Sequence, residues 1–174
     1  MRDDPLLKLR RDAFAYRIAV GIALFDRSGH VWLGRRLPKW AGDTTPPFWQ
    51  MPQGGITKGE LPAAAARREL YEETGTRSFS LIAEFDSWLT YDLPDDLLGV
   101  ALKGRYRGQR QLWFAARFEG EDRDFDITGK NSQKPEFNAW KWGTLDEAVA
   151  GVVPWKTDVY KAVAAAFGDL ARSG

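Results

Sequence analysis

The chain has 174 residues, 44% hydrophobic and 28% charged, so we expect one globular domain with a sizeable core. Its formal net charge of +1 argues against a general nucleic-acid coat protein, which would carry a strong basic excess. The absence of cysteine excludes disulfides, zinc–thiolate sites and cysteine nucleophiles, and the lone His30 after a Ser-Gly turn disfavours a Ser-His-Asp triad. No apolar run reaches membrane-spanning length and the N-terminus is charged, so we expect a cytoplasmic protein.

The beginning of the chain predicts a charged lead-in followed by a β-hairpin. Residues 1–12 are polar and are expected to be flexible, which leaves residues 13–174 for a single domain. Residues 18–25 form a continuous apolar run whose β-branched content favours a strand covered on both faces. A turn at residues 26–29 and a second apolar segment at 31–34 indicate that the chain returns as a hairpin.

A helix is predicted in the middle of the chain, over residues 63–74. It is rich in Ala and has no interior Gly or Pro, while Pro62 suits its first turn and Gly75 its end. The rest of the chain predicts strands at 49–51, 79–89, 110–118 and 137–142, loops at 92–108 and 119–134, a short helix after a capping box at 144–147, and a last helix from about residue 157. This order indicates an α/β (α+β) fold with a mixed sheet packed between helices.

Three carboxylates of the predicted helix share one of its faces. Glu69, Glu72 and Glu73 are spaced i, i+3 and i+4, which places their side chains on the same side. Each like-charge pair costs roughly 0.2–0.5 kcal/mol on a solvated helix, so we expect a compensating cation, and Mg²⁺ prefers carboxylate and water oxygens. The alternative is a solvated charged face that pairs with Arg67 and Arg68.

The loop before this helix favours the metal-binding alternative. It contains Gly54, Gly55 and Gly59, which allow the backbone to approach a ligand or an ion closely. Together the loop and the helix resemble the Nudix box, a motif with fixed Gly, Glu, Arg-Glu, Glu-Glu and Gly positions. The matching residues are Gly54, Glu60, Arg68, Glu69, Leu70, Glu72, Glu73 and Gly75. Thr76 departs from the motif, because the family usually has an aliphatic residue at this packing position.

The resemblance to the Nudix family implies a fold, a reaction and roles for several residues. The fold would be a Nudix α-β-α sandwich with a mixed central sheet. The reaction would be the attack of metal-activated water on a diphosphate linkage, with Mg²⁺ as the cofactor and Mn²⁺ as a substitute. The carried-over residues are Glu69, Glu72 and Glu73 as metal ligands and candidate general bases, the Gly54 carbonyl as a further ligand, and Arg68 and Glu60 as ties between loop and helix.

Segments outside the box resemble bacterial RNA pyrophosphohydrolases and the bacterial and plant diadenosine tetraphosphate (Ap4A) hydrolases. They are Trp49–Ile56, Pro135–Phe137 and Trp155–Tyr160, in the expected order. By this resemblance Glu136 would be a fourth catalytic, metal-binding carboxylate, the alternative being a solvated loop acid. The other implied roles are phosphate binding by Arg17, Arg36 and Lys156, base stacking by Tyr91 and Trp155, and pocket lining by Gln50 and Gln111. The plainer alternatives are surface charge for the basic residues and core packing for the rings.

The sequence separates two substrates poorly, because Ap4A and 5′-triphosphorylated RNA share a purine and a phosphate chain. The near-neutral charge favours the small molecule, so the main prediction is hydrolysis of Ap4A to ATP and AMP. The alternative is release of pyrophosphate from an RNA 5′ end, which Lys103, Arg105 and Arg107 of the 92–108 loop could contact. A pyrophosphatase for nucleotide sugars or nucleoside triphosphates and a non-catalytic nucleotide-binding Nudix module are less favoured. We expect no DNA or membrane partner, and a monomer is favoured.

Overall fold

The strands form one mixed sheet in the computed structural model, which describes residues 4–130 and 134–173. In chain order they are β1 (Ala15–Phe25), β2 (Val31–Arg36), β3 (Trp49–Gln50), β4 (Gln53–Gly55), β5 (Phe79–Glu84), β6 (Leu89–Asp92), β7 (Tyr106–Phe118) and β8 (Phe137–Gly143). The main order is β3-β2-β1-β7-β5, while β4 also pairs with β1, β6 with β7 and β8 with β2. Only β1 and β7 are parallel among these pairs, so the predicted mixed sheet and the β1–β2 hairpin are confirmed.

Helices cover both faces of the sheet. They are α1 (Pro5–Asp12), α2 (Pro62–Thr74), α3 (Leu145–Gly151) and α4 (Thr157–Arg172), and none of these described helices is long and apolar enough to cross a membrane. Val20, Ile22 and Leu24 of β1 join the core cluster that contains the buried side of α2. The alternating Ala23 and Phe25 join the cluster that contains α3 and α4. Because successive side chains of a strand point to opposite faces, residues 19–25 of β1 are apolar and buried on both faces, and the α-β-α sandwich is confirmed.

The helix α2 has nearly the bounds that the sequence predicts. Pro62 occupies its first turn, where the missing N–H costs little. Gly75 follows the last turn with a φ angle of +78°, and its N–H donates to the Tyr71 carbonyl at 2.8 Å. Its side chains buried against the sheet include Ala65, Ala66 and Leu70. Since this side of α2 is packed, the carboxylates on its other side are free to line a cleft.

The N-terminal segment differs from its prediction, because residues 5–12 form the helix α1 instead of an irregular lead-in. Asp4 caps this helix by accepting a hydrogen bond from the Leu6 amide at 2.9 Å, and Pro5 fits its first turn. No residue of α1 is buried, so the buried apolar stripe that reveals most helices in a sequence is missing. Residues 1–3 lie outside the described part of the chain, and the domain boundary at residue 13 stays a prediction.

Two further segments are more structured than the sequence indicates. The predicted strand at 79–89 is divided into β5 and β6, which both pair with β7. The 119–134 segment was expected to be a flexible excursion, yet Phe125 packs against Phe118 and Trp140, with ring centroids 4.7 Å apart in both pairs. Residues 131–133 of this segment lie outside the described residues. Aromatic packing therefore orders a stretch whose polar composition predicts only a loop.

The same Gly→Ala change should have opposite effects at two positions. A Cβ atom on Gly21 in β1 would lie 2.4 Å from the buried Trp113 ring, so Gly21→Ala should lower the free energy of unfolding by about 1–3 kcal/mol. Gly168 in α4 has open space around its Cα, so Gly168→Ala should raise that free energy by about 0.5–1 kcal/mol through helix propensity. Urea unfolding measures both changes, and equal signs would contradict this packing.

Candidate active site

A cleft of about 650 Å³ gathers almost all of the candidate site residues. It is lined from one side by β1, β4 and α2 and from another by β6 and the 3₁₀ turn Pro154–Lys156. The candidate residues that line it are Arg17, Arg36, Gln50, Gly54, Glu69, Glu72, Glu73, Tyr91, Glu136, Trp155 and Lys156. Glu60, Arg68 and Gln111 are not part of its lining. The fold therefore brings acidic and basic candidates from distant parts of the chain to one place.

Arg68 ties the glycine-rich loop to α2. Its guanidinium donates to the two carboxylate oxygens of Glu60 at 2.8 and 2.9 Å, and to the Gly55 carbonyl at 2.8 Å. The same group donates to Glu69 at 2.7 Å and to Glu72 at 3.3 Å. Hydrogen bonds between ionised partners are stronger than neutral ones. One side chain thus holds the loop, the helix and two of the three carboxylates on the helix face.

Gly54 is in direct contact with the carboxylate of Glu69. A Cβ atom on Gly54 would lie 2.0 Å from the Glu69 carboxyl carbon, so no larger residue fits without displacing that side chain. The absence of a side chain is what allows the backbone and the carboxylate to approach this closely. The backbone of Gly54 and the carboxylate of Glu69 therefore belong to the same part of the cleft wall.

Glu73 is the most deeply buried of the three carboxylates, with 7% of the residue exposed. One of its oxygens accepts a hydrogen bond from the Gln53 amide at 3.2 Å. Burial, followed by the neighbouring charge of Glu69, raises the pKa of Glu73 well above its usual range. Burial also raises the pKa of Glu69, against the opposing effect of Arg68. Adjacent buried carboxyl groups of this kind would be stabilised as anions by a bound cation.

Glu69, Glu72 and Glu73 form what we call the acidic wall of the cleft. The donor chemistry of this wall fits a hard divalent cation. Within residues 4–130 and 134–173, no three acidic or histidine side chains are arranged as a ready-made metal-binding cluster. Glu69, Glu72 and Glu73 nevertheless line one cleft and offer the carboxylate oxygens that Mg²⁺ prefers. Arg68 binds one oxygen of Glu69 and one of Glu72, which leaves the second oxygen of each for another ligand.

The cleft also has a basic wall, formed by Arg36, Lys39 and Lys156. Asp43 holds the first two of these residues in place. The side chain of Asp43 is fully buried and accepts hydrogen bonds from the Arg36 guanidinium and the Lys39 amide, both at 2.8 Å, and from the Thr45 amide at 3.0 Å. The ammonium group of Lys39 forms an ion pair with Glu136. Glu136 therefore lies in the cleft with a cation as its partner, on a loop separate from the α2 carboxylates.

Lys156 is the most perturbed basic group of this wall. Only 7% of the residue is exposed, and burial, with repulsion from Lys39 and Arg36, lowers its pKa to about 7. Its ammonium nitrogen lies 5.2 Å from the centre of the Tyr91 ring. Tyr91 is 5% exposed and offers a base little surface, whereas Trp155 is only partly buried. Crowded cations of this kind would be stabilised by a bound anion such as a phosphate group.

A chain of glutamines lies beneath the cleft. Gln111 is fully buried, and its amide nitrogen donates to Gln53 at 2.9 Å and to Gln109 at 2.7 Å. Its carbonyl oxygen accepts a hydrogen bond from the Trp113 indole at 3.0 Å. Gln50 lines the cleft as the sequence predicts, but the place expected for Gln111 belongs to Gln53 and Gln109. Gln109 and Gln111 lie two residues apart in β7 and therefore share a face of the strand. Gln109 lines the cleft, and Gln111 supports it through a hydrogen bond.

Sequence reasoning missed Lys39 of the cleft and grouped Lys103 with Arg107 in one basic loop. Lys39 lies in a Gly- and Pro-rich loop where no motif marks it, and its role is visible only through Asp43 and Glu136. Lys103 lines the cleft, whereas Arg107 from the same basic loop pairs with Asp12 and Asp92 instead. The alternation of charged residues in the loop gave no means of separating these two outcomes.

Residues 15–163 match the family described as the NUDIX domain, which covers most of the chain. The chain belongs to the Nudix family. The prediction that it is an enzyme acting on phosphoanhydride bonds is confirmed at the level of this family and its relatives. Nudix enzymes generally use divalent metal ions such as Mg²⁺, which agrees with the donor chemistry of the α2 carboxylates.

Two curated relatives of this Nudix hydrolase are named RNA pyrophosphohydrolase. The RNA pyrophosphohydrolase of Rhizobium meliloti (strain 1021) is 50% identical over 160 residues, which cover 90% of this chain and 96% of the relative. The RNA pyrophosphohydrolase of Mesorhizobium japonicum is 48% identical over 170 residues, covering 95% and 97% of the two chains. The likeness therefore extends far beyond the box to almost the whole of each chain.

Solved structures confirm the fold of the Nudix hydrolase. The dihydroneopterin triphosphate pyrophosphohydrolase of E. coli is 20% identical with a TM-score of 0.63, covering 87% of this chain and 96% of its own. The Ap4A hydrolase of C. elegans is 18% identical with a TM-score of 0.61, covering 88% and 98%. At these identities the likeness is one of fold.

Substitution of Glu60 should test the tie between loop and helix. The hydrogen bond from Arg68 lowers the pKa of Glu60 to about 2, whereas the pKa in the unfolded chain is about 4.3. The stabilisation from this carboxylate is therefore present above pH ~4.3 and is lost as the pH falls toward 2. Glu60→Gln should lower the free energy of unfolding by about 1–2 kcal/mol at pH 7. Urea unfolding at pH 7 and pH 3 should show this difference shrinking, while the exposed Glu84→Gln control stays close to wild type.

Proposed function

We propose that this Nudix hydrolase removes pyrophosphate from the 5′-triphosphate end of RNA. The observation that carries the proposal is the 50% and 48% identity to relatives named RNA pyrophosphohydrolase, along almost the full length of each chain. The sequence alone favours Ap4A because the whole chain is nearly neutral. An RNA end needs only a local basic surface, so a nearly neutral chain can still bind it. The relatives thus support the RNA alternative better, and Ap4A hydrolysis is unconfirmed.

The basic wall supports a substrate with several linked phosphates. Arg36 is fixed by Asp43, Lys39 extends from the same loop, and Lys156 enters from the 3₁₀ turn before α4. These three groups line one cleft and repel one another, although Arg36 and Lys39 each have a carboxylate partner. An anion bound among them would relieve the remaining repulsion. A triphosphate chain carries enough negative charge to pair with all three. We therefore assign phosphate binding to this wall, with Arg17 on β1 as a further contact.

The acidic wall supports a magnesium site beside these phosphates. Glu69, Glu72 and Glu73 would hold the ion, with the Gly54 carbonyl and Glu136 as further oxygen donors. Bound Mg²⁺ would supply activation of water and stabilisation of negative charge on the phosphoryl oxygens. Glu136 would release Lys39 to do so, which would free that ammonium group for a phosphate.

The proposed reaction is a hydrolysis of the α–β phosphoanhydride. Water adds to phosphorus, the bridging P–O bond breaks, and the products are a 5′-monophosphate RNA and pyrophosphate. A carboxylate of the acidic wall accepts the proton of the attacking water, and Glu69, Glu72 and Glu73 are the candidates. Arg36, Lys39 and Lys156 orient the phosphates and stabilise their charge. Trp155 offers its partly exposed ring to a base next to the phosphates.

Two substrates offered separately decide the proposed function. The purified protein with Mg²⁺ should release pyrophosphate from a short 5′-triphosphate RNA, leaving a 5′-monophosphate, with a higher kcat/KM than for Ap4A. Chromatography of the products and a pyrophosphate assay measure both rates. Faster conversion of Ap4A to ATP and AMP, with slow turnover of RNA, would reject the proposal in favour of the dinucleotide. Removal of divalent ions with EDTA should stop turnover, and added Mg²⁺ should restore it.

A matched pair of Glu→Gln variants tests the site assignment. Glu73→Gln removes a buried carboxylate from the acidic wall and should lower kcat/KM on the order of 100-fold or more. Glu84→Gln makes the same change at an exposed position of β5 outside the cleft and should leave kcat/KM within about twofold. Full magnesium-dependent turnover by Glu73→Gln would show that the assignment is wrong. Thermal unfolding of both variants checks that they remain folded.

A further inference from the structure

One wall of the cleft is apolar and comes from a single loop. We call residues 93–105, between β6 and β7, the cleft loop. The residues of this loop that line the cleft are Leu93, Leu97, Val100, Ala101, Leu102 and Lys103. Leu93 and Ala101 are buried in the core, whereas Val100 is 48% exposed. The cleft loop therefore presents an apolar surface and one cation to the cleft.

The backbone of the cleft loop is strained. Leu102 and Lys103 have φ angles of +52° and +59°, and Gly104 follows with +67°. Residues other than Gly, Asn and Asp rarely adopt this left-handed backbone conformation, and two such residues in a row are unusual. Such a conformation persists only where surrounding contacts fix it.

Two arginines of α1 bind the cleft loop through its backbone carbonyls. The guanidinium of Arg11 donates to the Leu93 carbonyl at 2.8 Å and forms an ion pair with Asp95. The guanidinium of Arg10 donates to the Leu98 carbonyl at 3.2 Å. Both are adjacent residues at the end of α1, and they contact the beginning and the middle of the loop. A helix outside the Nudix core thus supplies hydrogen bonds to a loop inside the cleft wall.

A second set of contacts fixes the junction of α1 with the two strands that flank the loop. Arg107 at the start of β7 pairs with Asp92 at the end of β6 at 3.0 Å and with Asp12 of α1 at 3.2 Å. The Tyr16 hydroxyl donates to Asp92 at 2.9 Å, and the guanidinium of Arg107 lies 4.7 Å from the centre of the Tyr16 ring. These contacts hold the end of α1 at both ends of the cleft loop.

We infer that α1 is a positioning element for the substrate: Arg10 and Arg11 hold the cleft loop as the wall that contacts the nucleoside part of the substrate next to the phosphates. The inference deepens the proposed function and rests on it for the identity of that substrate. Neither arginine lines the cleft, so both act through the loop. The apolar side chains of the loop match the faces of bases, and Lys103 matches a backbone phosphate beyond the first nucleotide. The α2 carboxylates do not depend on these contacts.

The test compares Arg11→Ala with Lys8→Ala in the full chain. Lys8 is an exposed cation of the same helix whose side chain forms no hydrogen bond or ion pair with the described residues, so its removal controls for charge and helix propensity. Hydrogen–deuterium exchange of peptides covering residues 93–105 reads the loop directly. Steady-state kinetics with a 5′-triphosphate RNA of about ten nucleotides, and with Ap4A, reads its effect on the substrate. Arg11→Lys is the third variant, since it keeps the charge and one donor direction.

The expected result is selective. In Arg11→Ala the cleft loop should exchange faster while α2 and β1 keep their protection, and KM should rise roughly five- to tenfold with kcat within about twofold. Arg11→Lys should be intermediate and Lys8→Ala should match wild type. Unchanged exchange of the loop would overturn the inference, and so would faster exchange with unchanged KM or equal losses with Lys8→Ala. If the proposed function is wrong, the wild-type protein will turn over Ap4A in preference to the RNA. Hydrogen–deuterium exchange of the cleft loop and the KM for Ap4A will then still test the role of α1.

Discussion

The guanidinium of Arg68 allows three carboxylates to occupy one face of a short helix. It forms two hydrogen bonds to Glu60 and one to the Gly55 carbonyl, while it also contacts Glu69 and Glu72. Without this cation, the cleft side of α2 would bring three carboxylates together with no guanidinium bound between them. The acidic wall, the close approach of Gly54 and the shape of the cleft all depend on this arrangement.

The opposite wall follows the same physical logic with the signs reversed. Basic groups from three separate segments converge around Asp43, Glu136 and Tyr91, and burial lowers the pKa of Lys156. Each wall therefore keeps an excess of one charge beyond its protein partners, negative around Glu73 and positive around Lys156. A metal–polyphosphate complex supplies the counter-charge for both at once. Glu73 attracts both Lys39 and Lys156, so the two walls also stabilise each other across the cleft.

The sequence predicts the parts of this molecule that short-range patterns determine. The spacing of Glu69, Glu72 and Glu73, the end of α2 at Gly75 and the apolar run in β1 each depend on neighbours within one element, and each is found as expected. Contacts between distant segments were beyond such patterns. The pairing of Lys39 with Glu136 and the position of Gln109 above Gln111 depend on loop paths and strand register, which one sequence does not encode locally.

The helix α1 shows a different limit of sequence reasoning. Its residues are polar and none is buried, so composition predicts an irregular segment. What makes it a helix is a cap at Asp4 and a set of hydrogen bonds from its last turn to a loop far along the chain. A surface helix whose contacts are polar has no buried stripe to reveal it, and its function becomes visible only when its partners are placed.

The parallel pairing of β1 with β7 has a consequence for how this enzyme comes into being. It pairs Phe25 with Arg117 at one end and Arg17 with Gln109 near the other. Arg17 and Gln109 both line the cleft. Such pairing closes a long loop before any contact repays the lost chain entropy, which makes it an intrinsically slow step of folding. During synthesis, β1 leaves the ribosome well before β7, and the edge that β7 will pair stays open in the interval, although β2 and β4 can already pair with β1. The cleft can therefore be completed only after β7 pairs with β1, late in synthesis and folding.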